Sequence, residues 1–156
     1  MSVPQRPKQD FQVEAVTAAN IQELWQHLES SVNIWNAHGQ LSFADFTIRL
    51  QKALCVVWFP FGVGYVLPGQ DKNTLNAHLL IWSKKYFYNK GLISAACVNV
   101  MRMFGVKRIE TVFPSQIRAL HRIMRWEGFE FEGNMRKAIT IGSNCLDASM
   151  YSKVKE

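Results

Sequence analysis

The feature that most constrains the fold is a stretch in which a strand pattern, a glycine turn and a helix pattern follow one another. Residues 74–82 read as a strand, Gly91 lies in the turn that follows, and the helix pattern after it ends at Gly105. A helix that starts after such a turn leaves backbone N–H groups without intrahelical partners and carries partial positive charge at that end. Nearby lysines add to this charge: Lys84, Lys85 and Lys90. The stretch therefore predicts a place where a phosphate group binds well.

The chain before this stretch predicts a tail, a strand and two helices. Residues 1–10 are polar and contain two prolines, which is typical of a flexible tail. Residues 11–16 alternate apolar and polar side chains as a half-buried strand does, and Thr17 is a suitable N-cap for the first helix. After a loop, Ser42 is a suitable cap for a second helix through Lys52. The apolar residues expected to face inward from this helix are Phe43, Phe46 and Leu50.

The central and C-terminal patterns predict a mixed sheet. The runs 53–59 and 62–67 end at prolines and predict antiparallel neighbours, and residues 74–82 complete a meander. After the helical crossover, residues 107–113 are expected to add a strand beside residues 74–82.

The C-terminal region predicts a helix and further strands. A helix is expected from about Ser115, as its cap, to Glu127, and residues 128–133 open a β segment. Residues 137–141 and 146–151 predict a hairpin. We therefore expect one domain over residues 11–152, followed by a polar end at 153–156.

Composition narrows the class of protein. With 156 residues, of which 48% are hydrophobic, the chain is large enough to bury a core as one globular domain. It carries neither a signal-peptide pattern nor an apolar run long enough to span a bilayer, so we expect a cytoplasmic protein without a membrane partner. Its cysteines lack metal or disulfide spacing, which predicts no metal site and buried free thiols at Cys55 and Cys97. The net charge of +6 suits an acidic protein or a phosphorylated cofactor, whereas the scattered basic residues disfavour nucleic acid.

The order of these elements resembles the GNAT (Gcn5-related N-acetyltransferase) fold. The C-terminal residues are similar to those of acetyltransferases that act on ribosomal-protein N-terminal amines: Gly128, Phe129, Glu132, Gly133 and Arg136, then Asp147, Tyr151 and Ser152. The resemblance implies an α/β fold with a mixed, mostly antiparallel sheet of about seven strands, flanked by helices on both faces and splayed at the phosphate loop. It also implies direct transfer of acetyl from acetyl-CoA to a primary amine, without a covalent enzyme intermediate.

The resemblance also implies roles for individual residues. The backbone of the turn would hold the cofactor's pyrophosphate: Tyr88, Asn89, Lys90, Gly91, Leu92 and Ile93. Gln116 would touch the cofactor arm, and His78, whose imidazole titrates near neutral pH, would be the base for the amine. Ordinary structural roles compete with these: Gly91 as a simple turn, Gln116 as a solvated helix residue, and His78 as a core residue.

The phosphate turn and the helix before Gly128 depart from the family pattern. Tyr88 stands where Gln or Arg is usual, and Met124 stands where some members carry a tyrosine that protonates the leaving thiolate. Ile93 stands where a small Gly or Ala is usual, so its side chain either points into the core or obstructs the cofactor.

These departures leave a second interpretation open, in which the GNAT fold is kept without catalysis. Acetyltransferase-like proteins of tailed bacteriophages, some associated with head assembly, are similar in size and in such degenerate loops. On this interpretation the partner would be a protein, such as a virion protein, and the protein would be found in the host cytoplasm or the virion. Whether the groove at Gly91 is open discriminates between the two.

Overall fold

The computed structural model describes residues 10–30, 43–141 and 144–155. The strands are β1 (Gln12–Glu14), β2 (Cys55–Phe59), β3 (Gly62–Pro68), β4 (Thr74–Ile81), β5 (Arg108–Pro114), β6 (Glu130–Ile141) and β7 (Asn144–Val154). The α-helices are α1 (Ala18–Ser30), α2 (Phe43–Gln51), α3 (Leu92–Phe104) and α4 (Arg118–Trp126), and a short 3₁₀ helix spans Lys84–Tyr88. The predicted tail, the loop around residues 33–40 and the cap at Ser42 lie outside the described residues.

The strands form one seven-stranded sheet in the order β1-β2-β3-β4-β5-β7-β6. Every neighbouring pair is antiparallel except β4 and β5, which are parallel and are connected through α3. A parallel pair needs such a crossover because its strands start at the same end of the sheet. The predicted α/β fold with a mixed, mostly antiparallel sheet of about seven strands is therefore confirmed.

Helices cover both faces of this sheet. On one face α3 and α4 pack on alternate residues of the central strands, with Ile93, Val100 and Ile123 in the shared core. On the other face α1 and α2 supply Leu24 and Phe46 to a second core. Successive side chains of a strand point to opposite faces, so the middle strands contribute to both cores.

The sheet is split between β4 and β5. These strands pair over only three positions, from Thr74 with Arg108 to Asn76 with Glu110. Both strands then continue without pairing to each other, β4 to Ile81 and β5 to Pro114. We call the space between these unpaired parts the β4–β5 gap; it opens at the same end of the sheet as the turn before α3.

Local capping explains where α1 begins. The Thr17 Oγ1 accepts a hydrogen bond from the Asn20 N–H at 3.2 Å, and the Asn20 Oδ1 accepts one from the Thr17 N–H at 2.8 Å. This reciprocal pair satisfies N–H groups that the first turn leaves free. The predicted cap at Thr17 is confirmed.

Two details of the predicted helices are wrong. Helix α4 begins at Arg118 rather than at Ser115, because the Ser115 hydroxyl is engaged elsewhere. The Ser115 hydroxyl accepts a hydrogen bond from the Ser149 hydroxyl at 2.8 Å and donates one to the Asn134 side-chain oxygen at 3.2 Å. Phe43 is 46% exposed instead of buried, although its ring lies against Trp25 on α1.

The C-terminal hairpin is longer than predicted. Strand β6 starts at Glu130, directly after the Gly128-Phe129 turn, and β7 continues to Val154, into the predicted polar end. Register shifts after Phe131 and after Met135 interrupt the pairing. Near the second shift, the Asp147 carboxylate accepts a hydrogen bond from the Lys137 N–H at 2.9 Å. Asp147 thus stabilises the irregular backbone of β6.

Candidate functional site

The turn predicted to bind phosphate is held in place by its own hydrogen bonds. The Ser83 hydroxyl caps the 3₁₀ helix by accepting from the Lys85 N–H at 3.2 Å. The buried Asn89 side chain donates to the Lys85 carbonyl at 2.8 Å. Gly91 then begins α3 with a φ of +93°, a conformation that favours glycine. These contacts direct the first N–H groups of α3 toward one point.

That point is occupied by the side chain of Glu127, which lies at the end of α4. The Gly91 N–H donates to the two carboxylate oxygens, at 2.7 Å to Oε2 and 3.1 Å to Oε1. The Ser94 N–H donates to Oε1 at 3.1 Å. We call these two N–H groups the N–H cradle. Because the cradle carries the positive end of the α3 dipole, it stabilises the buried carboxylate.

The Tyr86 hydroxyl completes the set of donors to Glu127. It donates to Oε2 at 3.3 Å, and both groups are buried. Burial first, and then the charge of Glu127 and this hydrogen bond, raise the pKa of Tyr86. The phenol therefore remains protonated and keeps donating at neutral pH.

The other residues of the predicted phosphate turn point in different directions. Tyr88 is 69% exposed, and Leu92 is half-buried at the start of α3. The exposed Lys90 places its Nζ 4.1 Å from the centre of the Trp126 ring, a cation–π contact. Ile93 is 4% exposed and packs in the core, which decides between the two orientations that the sequence left open.

A small apolar cavity of about 50 Å³ lies between α3 and the sheet and reaches the β4–β5 gap. Its lining includes Phe59, Leu79, Ile93, Cys97, Met124 and Phe129. A smaller cavity of about 10 Å³ adjoins it on the β5 side, and four residues border both: His78, Leu79, Thr111 and Met124. Because one water needs roughly 10–15 Å³ of such space, the two cavities have room for only a few waters.

His78 lies on β4 two residues beyond the last pair with β5, and so borders the gap. Its ring stacks on Tyr65, with the centroids 5.0 Å apart. Burial first, and then the positive charge of Arg49 on α2, lower the pKa of His78 to about 4. The imidazole is therefore neutral at pH 7 and is a weaker base than an ordinary histidine.

The structure also locates Gln116 and His121. Gln116 is exposed in the turn before α4. The His121 Nε2 lies 2.8 Å from the Ser115 carbonyl, which can only accept, so Nε2 carries a proton. The His121 Nδ1 lies 2.7 Å from the Tyr151 hydroxyl and accepts from it in the neutral ring. His121 therefore joins α4 to β7 and the preceding turn.

The sequence interpretation missed Glu127, although the helix pattern contains a signal. Leu120, Ile123 and Met124 are the buried residues of α4, and Glu127 continues their i, i+3, i+4, i+7 spacing. A glutamate on the apolar face of a helix needs donors once it is buried. This position therefore indicates an internal anion site before the structure is known.

Neither of the two buried cysteines offers a reactive thiolate to the site. Burial raises the pKa of Cys55 to about 11 and that of Cys97 to about 12, so neither is a reactive thiolate at neutral pH. Both are free and buried, as predicted.

Among the described residues, no group of three or more His, Cys, Asp or Glu side chains could hold a metal ion. Within the same ranges, no helix has the length and apolar character needed to cross a membrane.

Comparison with solved structures identifies the fold. A microcin C7 self-immunity acetyltransferase in complex with acetyl-CoA and AMP matches with a TM-score of 0.69 and 16% identity, covering 96% of this chain and 98% of that one. A ribosomal-protein-S5-alanine acetyltransferase from Vibrio fischeri matches with a TM-score of 0.69 and 13% identity, covering 95% and 94%. A spermidine N-acetyltransferase chimera from Vibrio cholerae matches with a TM-score of 0.71 and 11% identity, covering 94% and 96%.

These matches establish that the chain has the GNAT α/β fold. The structures similar to this chain include a ribosomal-protein-alanine acetyltransferase, in line with the resemblance seen in the sequence. No protein-family model matches the sequence, and neither does any curated protein sequence. The likeness to bacteriophage head-assembly proteins gains no support from these comparisons.

Proposed function

We propose that this protein is an acetyl-CoA-dependent N-acetyltransferase that acts on a primary amine. The observation that carries the proposal is the β4–β5 gap, which opens beside the positively charged start of α3 and is bordered by His78. A structural neighbour that covers nearly the whole chain is in complex with acetyl-CoA, which supports the same assignment.

The residues at the start of α3 suit a phosphate group chemically. The N–H cradle already holds one anion, the Glu127 carboxylate, and exposed lysines surround the turn: Lys84, Lys85 and Lys90. A Cβ placed on Gly91 would meet nothing within 4 Å, so the space above this residue is open. On this proposal the turn from Tyr88 to Ile93 holds the pyrophosphate through its backbone, and Gln116 contacts the cofactor arm. Acetyl-CoA, when bound, supplies the acetyl group as an activated thioester.

His78 would act on the amine as a hydrogen-bond acceptor. With a pKa of about 4, it cannot take a proton from an alkylammonium group, whose pKa is near 10. The charge of Arg49, which contributes to that low pKa, also disfavours an ammonium group close by. We therefore propose that the acceptor arrives as the neutral amine and that the neutral His78 ring accepts a hydrogen bond from its N–H, which leaves the nitrogen lone pair facing the acyl carbon. The proton that the amine loses would leave with the released thiol.

A second candidate function is a GNAT-fold protein that binds a protein partner without catalysis. The specific observation in its favour is that Glu127 fills the N–H cradle. Met124, in place of the tyrosine that some family members use, points the same way because its thioether has no proton to give to a thiolate. Direct measurement of cofactor binding and acetyl transfer separates the two candidates.

The test combines isothermal titration with acetyl-CoA and a thiol-release assay over a panel of primary amines. A Gly91→Trp variant would place a bulky side chain over the turn and should lose binding. Gly105→Trp is the matched control, because Gly105 is also left-handed and open but caps the opposite end of α3. Saturable binding that Gly91→Trp alone abolishes, together with release of thiol, supports the transferase. Absence of both binding and thiol release from the unmodified protein refutes it, and binding without transfer to any amine favours the second candidate.

A further inference from the structure

The N–H cradle is filled from within the molecule. Glu127 is 1% exposed, and its carboxylate takes three hydrogen bonds from Gly91 and Ser94. A backbone N–H makes one strong hydrogen bond at a time, so an oxygen of another anion can replace the carboxylate but cannot join it there. Two anions side by side at this point would also repel each other in a partly buried site.

Hydrogen bonds of the Glu127 backbone and the packing of the neighbouring Trp126 hold Glu127 in position. Its N–H bonds to the Ile123 carbonyl at 2.9 Å, which continues α4 up to this residue. Its carbonyl accepts from the Lys153 Nζ at 3.0 Å, which fixes the chain against β7. The ring of the preceding residue, Trp126, stacks on that of Tyr86, and the ring centroids are 6.3 Å apart. The carboxylate is therefore presented to the N–H cradle at a high effective concentration.

We infer that Glu127 and a phosphate group of the cofactor compete for the N–H cradle, so that Glu127 sets how tightly the cofactor binds. The inference rests on the proposed function, because it concerns the same phosphate turn. Binding of the pyrophosphate then requires the carboxylate to leave the Gly91 and Ser94 N–H groups. Removing the carboxylate, while keeping the fold, frees the cradle for an external anion.

The test uses Glu127→Gln and Glu127→Ala. The glutamine keeps the shape of the side chain and one oxygen acceptor but lacks the charge, whereas the alanine empties the cradle. Glu130→Gln is the control, because Glu130 is exposed on β6 and its substitution changes the net charge by the same amount. Melting temperatures are measured for all four proteins with and without inorganic pyrophosphate, and acetyl-CoA affinities by isothermal titration.

We expect pyrophosphate to raise the melting temperature of Glu127→Ala and to leave the unmodified protein and Glu130→Gln nearly unchanged. Acetyl-CoA should bind Glu127→Gln at least about tenfold more tightly than the unmodified protein, a difference of ~1.4 kcal/mol. If Glu127→Ala does not fold, the glutamine variant carries the same comparison.

The outcomes separate this inference from the proposed function. Equal affinity for acetyl-CoA in the unmodified protein and both Glu127 variants would overturn the competition while leaving the transferase in place. Stabilisation of the Glu127 variants by pyrophosphate, with no acetyl-CoA binding by any of the four proteins, would show that Glu127 keeps a phosphate anion out of the cradle, but it would refute the transferase and the effect of Glu127 on cofactor affinity. A pyrophosphate effect of the same size in Glu130→Gln would show that net charge alone is responsible and would also overturn it.

Discussion

His78 gives a sharp prediction about stability and pH. In the folded protein its pKa is lowered from 6.5 to about 4, first by burial and then by the charge of Arg49. The unfolded chain therefore binds more protons than the folded one between these two pH values, and the free energy of unfolding falls as the pH is lowered from 6.5 to about 4. Since one pKa unit corresponds to about 1.4 kcal/mol, His78 alone should remove about 3 kcal/mol across this window.

Urea denaturation of the unmodified protein and a His78→Gln variant measures this effect. The difference in unfolding free energy between the two proteins should shrink or reverse as the pH is lowered from 7.5 toward 4. Only the unmodified protein carries the His78 imidazole, which takes up a proton on unfolding in this pH range. His27→Gln is the matched control, since His27 lies on the same face of the sheet and also stacks on an aromatic ring, that of Trp82. A difference that stays constant over this range would refute the desolvated state of His78, and with it the proposed neutral hydrogen-bond acceptor.

Two further predictions concern residues that position the sheet and α4. Gly62→Ala should destabilise the protein by about 3 kcal/mol in urea denaturation, because its Cβ would clash with the Leu80 carbonyl oxygen on β4; a loss below half of that would contradict the close approach. His121→Phe should cost about 2 kcal/mol, since it leaves the Tyr151 hydroxyl and the Ser115 carbonyl without their partner. Adding Tyr151→Phe to that variant should cost little more, and strictly additive losses in the double-mutant cycle would argue against the shared hydrogen bond.

Features that depend on neighbours in sequence could be predicted. Alternating polarity marked β1, the side chain of Thr17 marked the start of α1, and short turns between apolar runs marked the antiparallel pairing of β2 with β3. The crossover through α3 fixed β4 and β5 as parallel neighbours, because the connection between two parallel strands must return to the same end of the sheet. Each of these rests on physics that acts over a few residues or on a topological rule.

Features decided by distant contacts could not be predicted in this way. Ser115 fits the local rule for a helix cap, yet its hydroxyl is bound by Ser149 and Asn134, so α4 starts three residues later. Which face of α2 is buried depends on α1, and Phe43 at its edge stays 46% exposed although its ring lies against Trp25. A local preference worth about 1 kcal/mol is easily outweighed by such tertiary contacts.

Glu127 shows how two local requirements can be joined into one long-range prediction. The start of α3 needs acceptors for its N–H groups, and a glutamate on the apolar face of α4 needs donors for its carboxylate. The two are 36 residues apart in sequence, so neither pattern alone indicates the other. Their pairing satisfies both requirements without an external ligand, and it shows that the N–H cradle does hold an anion. The phosphate site that the sequence predicts at this turn stays a prediction, and the affinity for any external phosphate must be judged against the carboxylate that already accepts from these N–H groups.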